Sequence, residues 1–180
     1  NEEILFPVRL HMFVRGIQGI YACSNPQCDC NAKYSEEEKL PLGRITSIPR
    51  HKCECGGRMY EVVNHIKCGA LYLRAFVQKI SGTGYWYIFP NKGLSGGTNE
   101  LTEMLLYICP DGYELRSNDK VGYLDSLTGK LYLDYKNGDS LLKVLYPAEY
   151  DDKNERFMFG SCPKCKKVMP LKKPTDLATK

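Results

Sequence analysis

The stretch "VGYLDSLTGKLYLDYKNGDSLLKVLYP", residues 121–147, decides the fold class. Apolar residues alternate with polar or aromatic ones on both sides of Thr128-Gly129. Asn137-Gly138 follows, flanked by further apolar residues. A period of two places alternate side chains on opposite faces of a strand, whereas a helix needs a period near 3.6. Gly and Asn tolerate positive φ and so match the twist of a hairpin. The stretch predicts a three-stranded antiparallel meander over residues 121–146.

Working outward, Gly19 to Cys23, Arg58 to Val63, Ala70 to Val77 and Tyr85 to Phe89 are rich in aromatic and β-branched residues and bounded by Gly, Pro or Asn. Each predicts a strand. "ELTEMLLYIC", 100–109, fits a short helix or a buried strand by periodicity and is read as a strand. "AKYSEEEKLPLG" and "GLSGGTNE" read as loops. The expected fold class is mainly β, with a small α+β variant open: an antiparallel meander body carrying two zinc-knuckle or zinc-ribbon sites. The expected division is a zinc-ribbon-like module at 1–76, a β body at 77–160, and a knuckle with a basic tail at 161–180 packing back on the first module, or all three as one domain.

Of 180 residues, 43% are hydrophobic, which argues against disorder. No run of eighteen apolar residues spans a bilayer, and "NEEILF" lacks the basic-then-apolar layout of a signal peptide. These features point to a soluble, intracellular protein without membrane partners. The Asn at position 1 and the ending "TDLATK" suggest a segment of a larger protein. Net charge is only +4. Yet Lys164, Lys166, Lys167, Lys172 and Lys173 lie within ten residues that hold no acid, a pattern suited either to a solvated face or to phosphates.

Nine cysteines carry the chemistry. The odd count, the tight CxC and CxxC spacings and the lack of a glycosylation sequon favour metal over disulfides. In "ACSNPQCDC" and "HKCECGG", Cys23-x4-Cys28 and Cys53-x-Cys55 are 24 residues apart, near the separation of two knuckles around one tetrahedral zinc. Asn25-Pro26 and Gly56-Gly57 suit the turns. Cys30 competes with Cys28 and stays open as the alternative, with Cys28 preferred for its longer loop. "SCPKCKK" holds Cys162-x2-Cys165 with no adjacent partner pair. "NHIKCG" offers His65-x2-Cys68-Gly69 at the same spacing, and imidazole ligates zinc beside thiolates. His65, Cys68, Cys162 and Cys165 would form a second site, with 93 residues between its halves. The competing reading makes His65 a surface histidine and Cys68 a small buried hydrophobe. Cys109, His11 and His51 read as structural residues. Four protein ligands leave no open position, so both ions are structural.

No catalytic pattern accompanies the cysteines. His-x-Glu with Pro-Cys-x-x-Cys, His-Glu-x-x-His, Gly-x-Ser-x-Gly and a phosphate-cradling Gly-Lys-Ser/Thr loop are all missing from the sequence.

"HMFVRGIQGIYACSNPQC", "LGRI", "CECGGRMYEVVNHIKCGALYL", "YLDSLTGKL" and "SCPKCKK" together resemble the cysteine-rich region of large bacterial superfamily 2 DEAD/DEAH-box helicases of phage-defence or DNA-repair type. In that family the position of His65 is a cysteine; the exchange keeps a ligand. The family's first pair falls on Cys23 and Cys28, leaving Cys30 extra. The resemblance implies a non-enzymatic accessory domain with two structural zinc ions, excised from an ATP-dependent helicase whose motor domains lie elsewhere in the parent chain. Its implied partners are those motors, DNA or RNA, and a defence or repair subunit. Basic residues and exposed aromatics would serve a strand, with Tyr85, Trp86 and Tyr87 as stacking candidates and the five lysines as phosphate contacts. Trp86 is alternatively core. The alternative role is a protein-docking or purely structural insert.

Overall fold

The computed structural model describes residues 19–30, 40–94, 101–152 and 155–169. It is mainly β. Among the described residues eleven strands occur in chain order: β1 Tyr21–Cys23, β2 Ile45–Thr46, β3 Met59–Asn64, β4 Leu71–Gln78, β5 Tyr85–Phe89, β6 Thr102–Ile108, β7 Val121–Asp125, β8 Lys130–Tyr132, β9 Leu141–Leu145, β10 Tyr150–Asp151 and β11 Arg156–Phe157. The only helical element among the described residues is a 3-10 turn at Lys92–Leu94. "ELTEMLLYIC" thus resolves to strand, as β6. No helix among the described residues is long and apolar enough to cross a membrane.

Six strands close a barrel, every pair antiparallel. β4 pairs β6, β6 pairs β9, β9 pairs β7, β7 pairs β8, β8 pairs β5, and β5 returns to β4. Closure removes the free edges that an open sheet would expose. The alternation seen in the sequence fills the barrel. Leu73, Ala75, Ile88, Met104, Leu106, Leu124, Leu131, Leu142 and Val144 form one buried cluster. Gly122 admits Leu131 to it, since a Cβ there would stand 2.7 Å from the Leu131 Cδ1.

β4 is long enough to serve three neighbours. Its first half pairs β3, its second half β5, and its other edge β6. β3 then carries β1, and β1 carries β2, as an antiparallel extension. β11 runs parallel beside the start of β6 and holds β10. The boundary expected between residues 76 and 77 falls inside β4.

The meander expectation needs correction. β7 and β8 do form a hairpin, but β9 pairs β7 rather than β8. The far edge of β8 is taken by β5, with Tyr85 opposite Tyr132 and Trp86 opposite Leu131. Only the open edge of β7 remains for β9, so residues 133–140 cross the end of the barrel. Asn137-Gly138 therefore lies in this connection; Leu141 N–H closes its last turn on the Gly138 carbonyl at 3.1 Å.

The Thr128-Gly129 turn has a chemical cause. The Asp125 carboxylate accepts from Leu127 N–H, Thr128 N–H and the Thr128 hydroxyl. Gly129 has φ +74, and a Cβ there would lie 2.7 Å from the Arg58 guanidinium carbon. Glycine meets the φ demand without strain, and a larger residue would also displace the Arg58 side chain.

Candidate metal centres

Two groups of side chains converge. The ligand atoms of Cys23, Cys28, Cys53 and Cys55 all lie within 4.8 Å of one another, and so do those of His65, Cys68, Cys162 and Cys165. In the first, Cys23 and Cys55 sulfurs are 3.6 Å apart and Cys28 and Cys53 sulfurs 3.7 Å apart. In the second, Cys68 and Cys162 sulfurs are 3.6 Å apart, and His65 Nδ1 is 3.1 Å from Cys68 Sγ and 3.6 Å from Cys165 Sγ. A tetrahedral ion with metal–sulfur bonds of about 2.3 Å has edges of about 3.8 Å. Both groups fit that size, and the separations exceed a disulfide bond of about 2.05 Å.

The first centre sits at the end of the β1–β3 extension. Cys23 ends β1, and Cys53 and Cys55 lead into β3. The Cys28 N–H closes its turn on the Asn25 carbonyl at 3.1 Å, and the Gly56 N–H closes on Cys53 at 2.9 Å. Two glycines press on the thiols. A Cβ at Gly57 would lie 2.6 Å from Cys23 Sγ, and one at Gly43 would lie 2.4 Å from Cys28 Cβ. Cys30 packs beside this group but outside the tetrad, which takes Cys28.

The second centre lies on the outer face of the barrel. His65 and Cys68 form the β3–β4 turn; Cys162 and Cys165 return from the far end of the described chain. They cover Tyr72, Leu105, Tyr107, Cys109 and Leu145, which point away from the barrel core, and Met169 joins the cluster. The Tyr72 hydroxyl donates to Cys162 Sγ at 3.2 Å. His65 is 2% exposed, not a surface residue.

The two turns of this centre share one backbone design. His65 N–H donates to the Ala70 carbonyl and Gly69 N–H to His65; Cys162 N–H donates to Lys167 and Lys166 N–H to Cys162. The residue after the second ligand is left-handed in both, Gly69 at φ +69 and Lys166 at φ +59.

Electrostatics divides the thiols. Burial pushes Cys53 and Cys68 each up to about 11 and Cys23 higher still. Burial also raises Cys55, but the Gly57 N–H and the Asn25 side chain outweigh it and bring Cys55 down to about 7. The Lys167 N–H lowers Cys165. Burial, then the ammonium groups of Lys67 and Lys167, lower His65, which favours the neutral ring that ligates metal. A lowered thiol thus stands beside raised ones in each group, Cys55 beside Cys23 and Cys53, and Cys165 beside Cys68.

The remaining candidates are placed as follows. Cys109 is buried in the second cluster and pushed up to about 12 by desolvation, an inert core thiol. His51 is exposed and meets Asn91 instead of the first centre. Lys164, Lys166 and Lys167 are exposed on the C-terminal knuckle; Lys172, Lys173 and His11 lie outside the described residues. Trp86 turns inward. It is half-buried against the barrel core, edge-on to Tyr146 at 5.4 Å, with the Lys79 ammonium 4.9 Å from its ring centre. Its neighbours Tyr85 and Tyr87 occupy the opposite face, where sequence reasoning did not foresee how many further rings join them.

Residues 45–173 match the YjiV N-terminal domain family. Over 166 residues, 91% of its length, the chain is 28% identical to the Druantia protein DruE of Escherichia coli (strain UMEA 4076-1). The chain spans 9% of that protein's length. No solved structure matches it.

Proposed function

The chain belongs to the YjiV N-terminal domain family, and from that premise we propose that it is a zinc-stabilised accessory domain of a large bacterial defence protein of helicase type. It holds two structural zinc ions, performs no catalytic step itself, and contacts nucleic acid beside the motor domains. The pair of tetrads carries the zinc reading. Three thiolates with one histidine, or four thiolates, in a closed tetrahedron are the donor sets of structural zinc. The defence context rests on the similarity to the Druantia protein DruE. The helicase and nucleic-acid parts rest on the motif resemblance and on the basic knuckle.

Elemental analysis of the purified chain tests the zinc reading. Two equivalents are expected, falling to about one in His65→Ala and returning to two in His65→Cys. One equivalent in both wild type and His65→Ala overturns the second site. The nucleic-acid reading requires binding to a single-stranded oligonucleotide that weakens steeply as salt rises; no binding at low salt overturns it. A second reading, a protein-docking insert, is favoured by one observation. Ile45 and Ile48, on and just beyond the outermost strand of the β1–β3 extension, are 42% and 59% exposed.

A further inference from the structure

The outer face of β5, β8 and β7 carries rings where a solvated sheet ordinarily carries polar side chains. Pairing places Tyr85 opposite Tyr132, and Tyr132 opposite Tyr123, so three tyrosines stand in one row across three strands. Tyr87 meets Tyr85 with ring centres 5.5 Å apart, and Tyr85 meets Tyr132 at 6.0 Å. Tyr123 meets Tyr135 at 5.5 Å, and Tyr135 is 79% exposed. The barrel does not need these side chains. Its interior is already filled from the same strands by Trp86, Ile88, Leu124 and Leu131. Single exposed apolar groups are normal, but a contiguous patch marks a binding surface.

Cations are interleaved with the rings. The Lys130 ammonium lies 4.6 Å from the Tyr85 ring centre and 5.9 Å from that of Tyr87, and the Lys136 ammonium 3.8 Å from that of Tyr132. Lys143 pairs with Tyr123 on the next strand. Asp125 and Asp134 border the face. Asp125 is bound by its own turn and by Ser140. Asp134 lies beside Gly84 and acts on Tyr146. A face of rings interleaved with ammonium groups suits a ligand with flat π-faces and a polyanionic backbone.

We propose that this face binds single-stranded nucleic acid, with bases stacked on Tyr85, Tyr132 and Tyr123 and phosphates held by Lys130, Lys136 and Lys143. The proposal rests on the nucleic-acid reading above and relocates the contact from the knuckle lysines to the barrel wall. Stacking is sequence-tolerant, so the face reads any unpaired strand.

The test is fluorescence anisotropy of the zinc-loaded 180-residue chain with labelled oligothymidylate and oligouridylate of about 15 nucleotides. Tyr85→Ala and Tyr132→Ala are each expected to weaken binding about ten-fold, a typical loss for one stacked base. Tyr85→Phe and Tyr132→Phe, which keep the ring, retain it. Lys130→Gln and Lys136→Gln, which disturb folding least, each lower the slope of log affinity against log salt by about 0.7. Equal affinity for the two oligomers assigns recognition to features they share, the base face and the phosphate; preference for one adds a contact to the sugar or to the thymine methyl, and both outcomes support the face. Should the oligomers bind but ignore all these variants, while Lys164→Gln, Lys166→Gln and Lys167→Gln together release them, the barrel-wall site is overturned and the broader reading survives. Absence of binding to either oligomer overturns both.

Discussion

The two candidate metal centres draw on similar side chains for different structural tasks. The first draws all four cysteines from residues 23–55 and closes a small β extension upon itself. The second joins the β3–β4 turn to Cys162 and Cys165 and binds the far end of the described chain across the outside of the barrel. A local centre substitutes for a core that β1 and β2, three and two residues long, are too short to build. A remote centre adds little to local structure. It fixes one part of the chain on another, and loop closure over 93 intervening residues is where a crosslink constrains the unfolded chain most.

The largest effect should come from breaking that crosslink. Cys162 is fully buried, and Cys162→Ser is expected to remove one zinc equivalent and release the knuckle, while the first centre keeps its ion. Limited proteolysis should then cut within residues 155–169, and the barrel should melt at lower temperature. Zinc-finger sites supply roughly 10–16 kcal/mol of apparent binding energy, so loss of docking is expected rather than mild loosening. Simultaneous loss of both zinc equivalents would mean that the centres are not independent.

A smaller, one-sided effect is expected from Gly57→Ala. The new Cβ would meet Cys23 Sγ at 2.6 Å and Asn25 Cβ at 2.8 Å, both held by the turn around the first centre. Overpacking typically costs about 1–3 kcal/mol. Zinc at the first centre should therefore pass to a competing chelator about ten- to a hundred-fold more readily, with the second centre unchanged. Equal affinity in wild type and variant would show that the first turn gives way without strain.

How much of this was legible in the sequence depends on range. The strand runs from Gly19 to Phe89 became β1, β3, β4 and β5, because alternation and flanking turn residues are local signals. The convergence of His65 with the knuckle cysteines was legible through repeated spacing, since "HIKCG" and "CPKCK" share ligand positions and turn length. What escaped was set by distant contacts. The turn at Asn137-Gly138 suggests a hairpin, yet β5 already holds the edge of β8. The parity of "YWYIF" cannot say which residues face inward; the register against β8 puts Trp86 inside and the tyrosines outside. The CDC spacing left Cys28 and Cys30 open. The tetrad takes Cys28, against which Gly43 presses from a different segment.

The smallest expected effect tests the likeness between the two halves of the second centre. Gly69 and Lys166 hold equivalent left-handed positions, but only Gly69 does so without a Cβ. A left-handed L-residue costs about 1–2 kcal/mol, while glycine loses more chain entropy on folding, by about 0.5–1 kcal/mol. The difference leaves Lys166→Gly stabilising the knuckle by about 0.5–1 kcal/mol, read as a slower zinc transfer from the second centre alone and a small rise in melting temperature. The reverse exchange, Gly69→Lys, should destabilise by a similar amount, since a Cβ at Gly69 would meet nothing within 4 Å and the cost is backbone strain only. If Lys166→Gly instead loosens the centre, the lysine side chain contributes more there than its backbone strain costs. The second centre would then depend on the basic knuckle for its stability as well as on its ligands.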